Sequence, residues 1–182
     1  VRCMGHHTDR AMKVLLLYPR LQFHPEDTVK PDGSLSLPYL AGALRDAGHE
    51  VRIVDCAVGT EKDDLTTTFF QPQTMPSGLQ RVGLSDARII KEAKDADLIG
   101  ITSIFTVQTT PVLDMVRLLK EAYPHKPLAL GGVNARELRE RFFQAGANAV
   151  CLSEAEGAII TIAQRALSER SLEGIPGVAT PF

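Results

Sequence analysis

Apolar positions along this chain fall into two alternating kinds of run. The first kind is short and nearly continuous: Val14-Leu15-Leu16-Leu17-Tyr18, Val51-Arg52-Ile53-Val54, Leu98-Ile99-Gly100-Ile101, Leu128-Ala129-Leu130 and Ala149-Val150-Cys151-Leu152. Runs of this length suit strands covered on both faces. The second kind repeats at helical spacing. Leu37, Leu40, Ala41, Leu44 and Ala47 form one stripe, and Val112, Met115, Val116, Leu119 and Ala122 form another. Leu138, Phe142 and Ala145, and then Ile159, Ala163, Ala166 and Leu167, form two more. Punctuation agrees with these helices. Ser36 is placed to cap the first, with Pro38 in its first turn and Gly48 beyond its end. Ser85 is placed to cap a helix through Ala93, Thr110-Pro111 opens the next, and Pro124 and Gly146 stop two others. Gly174-Ile175-Pro176-Gly177-Val178 reads as an exit segment with a short edge strand.

Strands alternating with helices predict a parallel sheet with right-handed crossovers. Five such units predict an α/β fold, a doubly wound, flavodoxin-like (Rossmann-like) five-stranded parallel sheet. Two segments stay outside the pattern. Residues 20–33 are rich in Pro, Asp and Gly and read as a loop. Residues 57–84 are polar and show no period. They are expected to be structureless, as a lid or a connection.

The chain has 182 residues, 44% hydrophobic and 23% charged, with a formal charge of −2. That length fits one domain with a sizeable core. The near-neutral balance carries no basic surface for nucleic acid. No apolar run approaches the roughly 20 residues that cross a bilayer. The three cysteines, Cys3, Cys56 and Cys151, are odd in number and widely spaced. They suit no disulfide framework or cluster motif, and a reducing cytoplasm is expected. Residues 1–11 lack periodicity and an apolar signal core. They read as a flexible extension, a vector-derived remnant or an upstream start, with His6-His7 a solvated pair. The domain is expected over 12–182.

Ligands of open α/β sheets bind outside the carboxyl ends of the strands, so those ends decide function. No G-x-G-x-x-G or P-loop follows the first strand. The Ser/Thr/Gly cluster of a flavin phosphate loop is also missing there, and no receiver-type aspartate ends the third strand. Thr102-Ser103-Ile104-Phe105-Thr106 follows the third strand instead. Its hydroxyls and apolar side chains suit a ligand with amide groups and an apolar face, or else they satisfy a helix start. Gly131-Gly132 follows the fourth strand, where it serves a turn or lets a large group approach the backbone. Ser153-Glu154-Ala155-Glu156 follows the fifth, with helix capping as its simplest role. No nucleophile–base pair stands out. His24, His49 and His125 are scattered, and His49 reads as structural.

Several segments, in order, resemble one family. They are Lys13-Val14-Leu15-Leu16-Leu17-Tyr18-Pro19, Leu37-Pro38-Tyr39-Leu40-Ala41-Gly42-Ala43-Leu44, Ala47-Gly48-His49-Glu50-Val51 and Gly83-Leu84-Ser85. They continue with Gly100-Ile101-Thr102-Ser103-Ile104-Phe105-Thr106, Gly131-Gly132-Val133-Asn134-Ala135 and Ser153-Glu154-Ala155-Glu156. Together they are similar to the N-terminal cobalamin (B12)-binding domain of B12-dependent radical SAM enzymes, over about residues 12–180. The resemblance implies a corrin over the strand ends and a nucleotide tail in a cleft beside the Gly-Gly turn. The implied cofactor contacts are Leu37, Thr102, Ser103, Ile104, Phe105, Thr106, Gly131, Gly132, Val133 and Glu154. No catalytic residue or protein ligand to cobalt is implied.

Two departures refine this. The D-x-H-x-x-G motif that supplies a cobalt-ligating histidine is missing, and His24 stands without that spacing. Base-off cobalamin without a protein histidine ligand is therefore expected. The C-x-x-x-C-x-x-C of the iron–sulfur cluster is also absent, and Phe182 falls about where such families enter their catalytic domain. An excised, truncated or stand-alone cobalamin carrier is expected, not catalytic by itself. In a full-length methyltransferase-type parent, S-adenosylmethionine and a 4Fe-4S cluster would join through a radical SAM domain. The rival readings are an FMN-binding module and a ligand-free signalling or interaction domain. A side chain at Gly132 is expected to weaken cobalamin binding with little loss of fold.

Overall fold

The computed structural model describes residues 11–168 and 171–181. The expected extension at 1–11, with Cys3 and His6-His7, lies almost wholly outside them. Met12 is already buried, and its backbone bonds to His49 and Glu50.

Strand β1 (Lys13–Tyr18) is the axis of the sheet, and after its first residue it is wholly buried. Leu15 and Leu17 face one core and Leu16 the other, because side chains alternate across a strand. Each buried leucine stabilises the fold by about 2 kcal/mol. After β2 (Leu21–Phe23) come α1 (Ser36–Asp46) and β3 (Glu50–Asp55). Then follow α2 (Leu65–Phe69), β4 (Gln73–Thr74), β5 (Gln80–Val82) and α3 (Asp86–Ala93). Next are β6 (Leu98–Thr102), a 3-10 turn (Thr106–Gln108), α4 (Thr109–Ala122) and β7 (Leu128–Gly131). The chain closes with α5 (Val133–Glu137), α6 (Arg139–Gln144), β8 (Ala149–Cys151), α7 (Glu156–Leu167) and β9 (Val178–Ala179).

The main sheet runs β3-β1-β6-β7-β8-β9. Its first five strands pair in parallel and β9 adds an antiparallel edge. This is the expected doubly wound sheet with the expected edge strand. Helices α3 and α4 cover one face and α1 and α7 the other. No helix among the described residues is long and apolar enough to cross a membrane.

Local expectations hold unevenly. Ser85 caps α3 through a hydrogen bond from the Arg88 N–H. Ser36 does not cap α1. The helix starts at Ser36 itself after Leu35, and the Ser36 hydroxyl bonds Ser34 at 2.8 Å. Residues 20–33 and 57–84 are not structureless. They supply β2, β5 and β4 of a second, antiparallel sheet, with Leu21 opposite Val82 and Thr74 opposite Gln80. Strands this short carry no readable alternation, so pairing between distant segments reveals them.

An ionic knot fastens the 57–84 segment to the main fold. The Arg88 guanidinium forks onto both Asp63 oxygens, at 2.8 and 3.2 Å, and also reaches Glu92. Thr60 donates to Asp63 through its N–H at 2.9 Å and its hydroxyl at 2.8 Å. Burial acts to raise the Asp63 pKa, but these hydrogen bonds and the Arg88 charge outweigh it, so the carboxyl sits below its ordinary range.

Across the sheet, the turns after β6 and β7 meet backbone to backbone. Gly132 has φ +107°, and a Cβ on it would lie 2.4 Å from the Ser103 carbonyl oxygen. The Ser103 N–H donates to the Gly131 carbonyl at 2.8 Å, and the Ala135 N–H donates to the Ser103 carbonyl at 3.1 Å. Below them, Asn134 Nδ2 donates to the Ser103 hydroxyl at 2.8 Å and to the Thr109 hydroxyl at 3.1 Å. This corrects the expectation for Gly132: a side chain there strains the fold before any ligand is considered.

Gly132→Ala is expected to destabilise the protein by about 2 kcal/mol or more, from positive-φ strain and the blocked approach. Urea unfolding checks this, and an unchanged midpoint would show that the turn relaxes freely. Asp63 adds a pH signature. Its folded pKa is depressed, so its stabilisation is present above the unfolded value near ~4 and is lost as pH falls through the folded value. Asp63→Asn should lower stability at neutral pH and flatten the acid limb of a melting-temperature profile below pH ~4. Parallel profiles for both proteins would refute the linkage.

Candidate functional site

The sheet face under α1 and α7 is built from small residues where it should be thickest. Leu16 of β1, Gly100 of β6, and Ala129 and Gly131 of β7 share this face by alternation. Gly100 lets Leu16 lie across the sheet, since a Cβ there would come 2.7 Å from Leu16 Cδ2. A Cβ on Gly131 would meet nothing within 4 Å. The result is a cleft of about 440 Å³ that opens toward the carboxyl ends of the strands. Leu37 and Leu40 of α1 wall one side, and Ile159 of α7 walls the other. Thr102, Arg136, Ser153, Glu154 and Glu156 bring polar groups to an otherwise apolar lining. An apolar pocket with few polar groups is the usual form of a small-molecule or cofactor site.

Of the residues expected to contact a cofactor, Leu37, Thr102, Ile104, Gly131, Gly132, Val133 and Glu154 line this cleft. Ser103 does not reach it. It is fully buried beneath the turn, where Asn134 satisfies its hydroxyl. Neither Thr102 nor Ser103 starts a helix, because α4 begins only at Thr109. Phe105 lines a second hollow of about 550 Å³ instead, with Tyr18, Phe23 and His24. Thr106 lies in the 3-10 turn and borders neither space. The Ser153–Glu156 turn supplies no side-chain cap, since the residue at the cap of α7 is Ala155. Arg136 was not among the expected residues. It lies one turn past Gly132, and its Nε pairs with Glu137 at 3.0 Å.

Cys151, at the carboxyl end of β8, is part of the cleft wall. Burial pushes its thiol up to about 11, so it is a neutral apolar wall at ordinary pH and supplies no thiolate. Burial likewise raises the Cys56 thiol. Both act as small core hydrophobes, as the sequence suggests.

Outside the cleft mouth, exposed apolar side chains gather at the same end of the sheet. Leu35 and Tyr39 stand at the start of α1, Phe105 and Val107 follow β6, and Val133 follows β7. Strands β1, β6 and β7 are adjacent, so these residues rim one surface. Exposed apolar side chains gathered at one end of a fold are candidates for an interaction surface.

Comparison with known proteins supports this fold. Over 133 residues the chain is 33% identical to cytidylyl-2-hydroxyethylphosphonate methyltransferase of Streptomyces wedmorensis, covering 71% of this chain and 23% of that protein. Its fold matches TsrM, a radical S-adenosylmethionine methyltransferase from Kitasatospora setae determined with cobalamin and a 4Fe-4S cluster bound. That match has TM-score 0.68 at 17% identity, over 95% of this chain and 29% of TsrM. The same fold extends to NtrX of Brucella abortus, with TM-score 0.51 at 16% identity over 88% of this chain and 27% of NtrX. The chain thus spans less than a third of each of these proteins. A family model described as the B12 binding domain matches residues 32–163, and the chain belongs to that family.

Proposed function

We propose that this domain holds cobalamin base-off, with the nucleotide tail in the cleft under α1 and α7 and the corrin over the apolar rim. The carrying observation is the hollow over Ala129 and Gly131, floored beside them by Leu16 lying across Gly100. Ordinary core residues at Ala129 and Gly131 would fill it. The apolar floor suits the flat, apolar base that ends the tail. Thr102, Arg136 and Glu154 suit its sugar and phosphate groups. Phe105, Val107 and Val133 suit the corrin face, and this is the role Phe105 takes although it stands outside the cleft.

No histidine of this chain is assigned to cobalt. His24 is exposed beside the second hollow, in a turn where its N–H donates to Asp27 at 3.0 Å. It lacks the spacing of the motif that supplies such a ligand. The protein's part is to bind, orient and shelter the cofactor, while methyl-group chemistry at the metal is the cofactor's own. The relatives' methyltransferase activities support a methyltransferase-type parent, in which a radical SAM domain would work beside this one. A domain that begins at residue 12 and a cytoplasmic setting belong to the same proposal.

Titration with hydroxocobalamin, read by visible absorbance and gel-filtration retention, tests the reading directly. Retention of FMN with no retention of cobalamin would replace it with the flavin alternative. Gly131→Val should weaken cobalamin binding at least about tenfold, because the new side chain occupies open cleft volume, while the melting temperature stays near that of the parent. Undiminished affinity would move the tail elsewhere. His24→Ala should leave the bound spectrum base-off and unchanged, and a spectral shift on that substitution would assign the histidine to cobalt.

A further inference from the structure

Gln108 lies just before α4 and is 2% exposed. Its Oε1 accepts two successive backbone N–H groups, from Ile104 at 2.8 Å and from Phe105 at 3.1 Å. Its Nε2 donates to the Tyr18 phenol oxygen at 3.1 Å. The Gln108 N–H returns to the Phe105 carbonyl at 2.9 Å. One side chain thus holds two consecutive peptide groups of the loop after β6 and ties them to the end of β1.

Those two peptide groups belong to residues that face different spaces. Ile104 lines the cleft and Phe105 lines the second hollow. The loop is a partition between them, and Gln108 fixes its position from behind. Neither N–H is taken up by the β6–β7 ladder, which ends at Thr102 and Gly131. Without the amide oxygen, both part-buried N–H groups would lose their protein acceptor at once, and the loop would shift to find water or another partner. Tyr18 is a suitable anchor. Burial raises its pKa, with Asp55 and Asp32 adding to the effect, so it remains a neutral phenol.

We infer that Gln108 is a positioning residue for the nucleotide tail: it sets the Thr102–Ile104 wall of the cleft without touching the ligand. The inference rests on the tail lying in that cleft. Its test separates the two claims by comparing cobalamin with cobinamide, a corrinoid that lacks the nucleotide tail. Gln108→Met keeps the side-chain volume but removes the acceptor and the donor. Gln108→Glu keeps the acceptor. Protonated, it also donates to Tyr18, and ionised, it accepts from the Tyr18 hydroxyl. Tyr18→Phe removes only the anchor, and it preserves the test if Gln108→Met fails to fold.

Affinities for both corrinoids are measured by absorbance titration, alongside thermal unfolding. The unsubstituted protein should prefer cobalamin. Gln108→Met should cut that preference about tenfold, Tyr18→Phe should cut it less, and Gln108→Glu should restore most of it. A purely structural role would lower the melting temperature and weaken both ligands by one common factor. That result, or a preference unchanged in Gln108→Met and Tyr18→Phe, overturns the inference and leaves the tail assignment standing. Equal binding of cobalamin and cobinamide by the unsubstituted protein would overturn the tail assignment and this inference together.

Discussion

The site depends on one contact between two peptide groups, the approach of Gly132 to the Ser103 carbonyl. Parallel neighbours β6 and β7 end side by side, but their ends would normally splay as each chain turns away into a helix. Here the second turn folds back over the first. The left-handed conformation at Gly132 allows the approach, and the Ala135 N–H and the buried Asn134 side chain hold it. The two loops are therefore tied to each other by hydrogen bonds as well as by close packing. That tie leaves Gly131 open to the cleft on one side and places the Ile104–Phe105 loop on the other. A cofactor site gains affinity when its walls are set before the ligand arrives.

The main sheet was largely legible in the sequence, because β1, β6, β7 and β8 are buried along nearly their whole length and so read as apolar runs. The run from Val14 to Tyr18 shows this most clearly. The antiparallel sheet was not legible. Gln73 and Thr74 say nothing about pairing until Gln80 is placed opposite Thr74 by a turn. Helix α5 was missed for a similar reason, since five residues are too few to show a stripe. Physical information for both lies in contacts between distant positions.

The cleft was legible as a place and less so in its division of labour. The glycine pair pointed to a turn that lines the cleft, but it suggested one role for both residues. The structure separates them: Gly131 has open space where its Cβ would be, and Gly132 has a carbonyl oxygen. That difference depends on a strand that arrives from elsewhere in the chain. Ser103 looked like a ligand contact and is instead a buried partner of Asn134, 31 residues away. Gln108 carried no local signal, because glutamine at a helix start is ordinary until its oxygen is seen between two N–H groups.

The two ends of the main sheet bear on how the protein behaves in a crowded solution. Exposed strand edges invite pairing with other chains. On one side β3 carries exposed Glu50 and Arg52, the latter 56% exposed although paired with Glu92 of α3, so a second sheet approaching that edge meets charge. On the other side β9 contributes only two residues before Pro181, which has no N–H to offer an incoming strand. The carboxyl end of the sheet, by contrast, carries exposed apolar side chains. Self-association of this domain should therefore proceed through that end and not through its edges, and the corrin proposed to cover it should double as protection against aggregation.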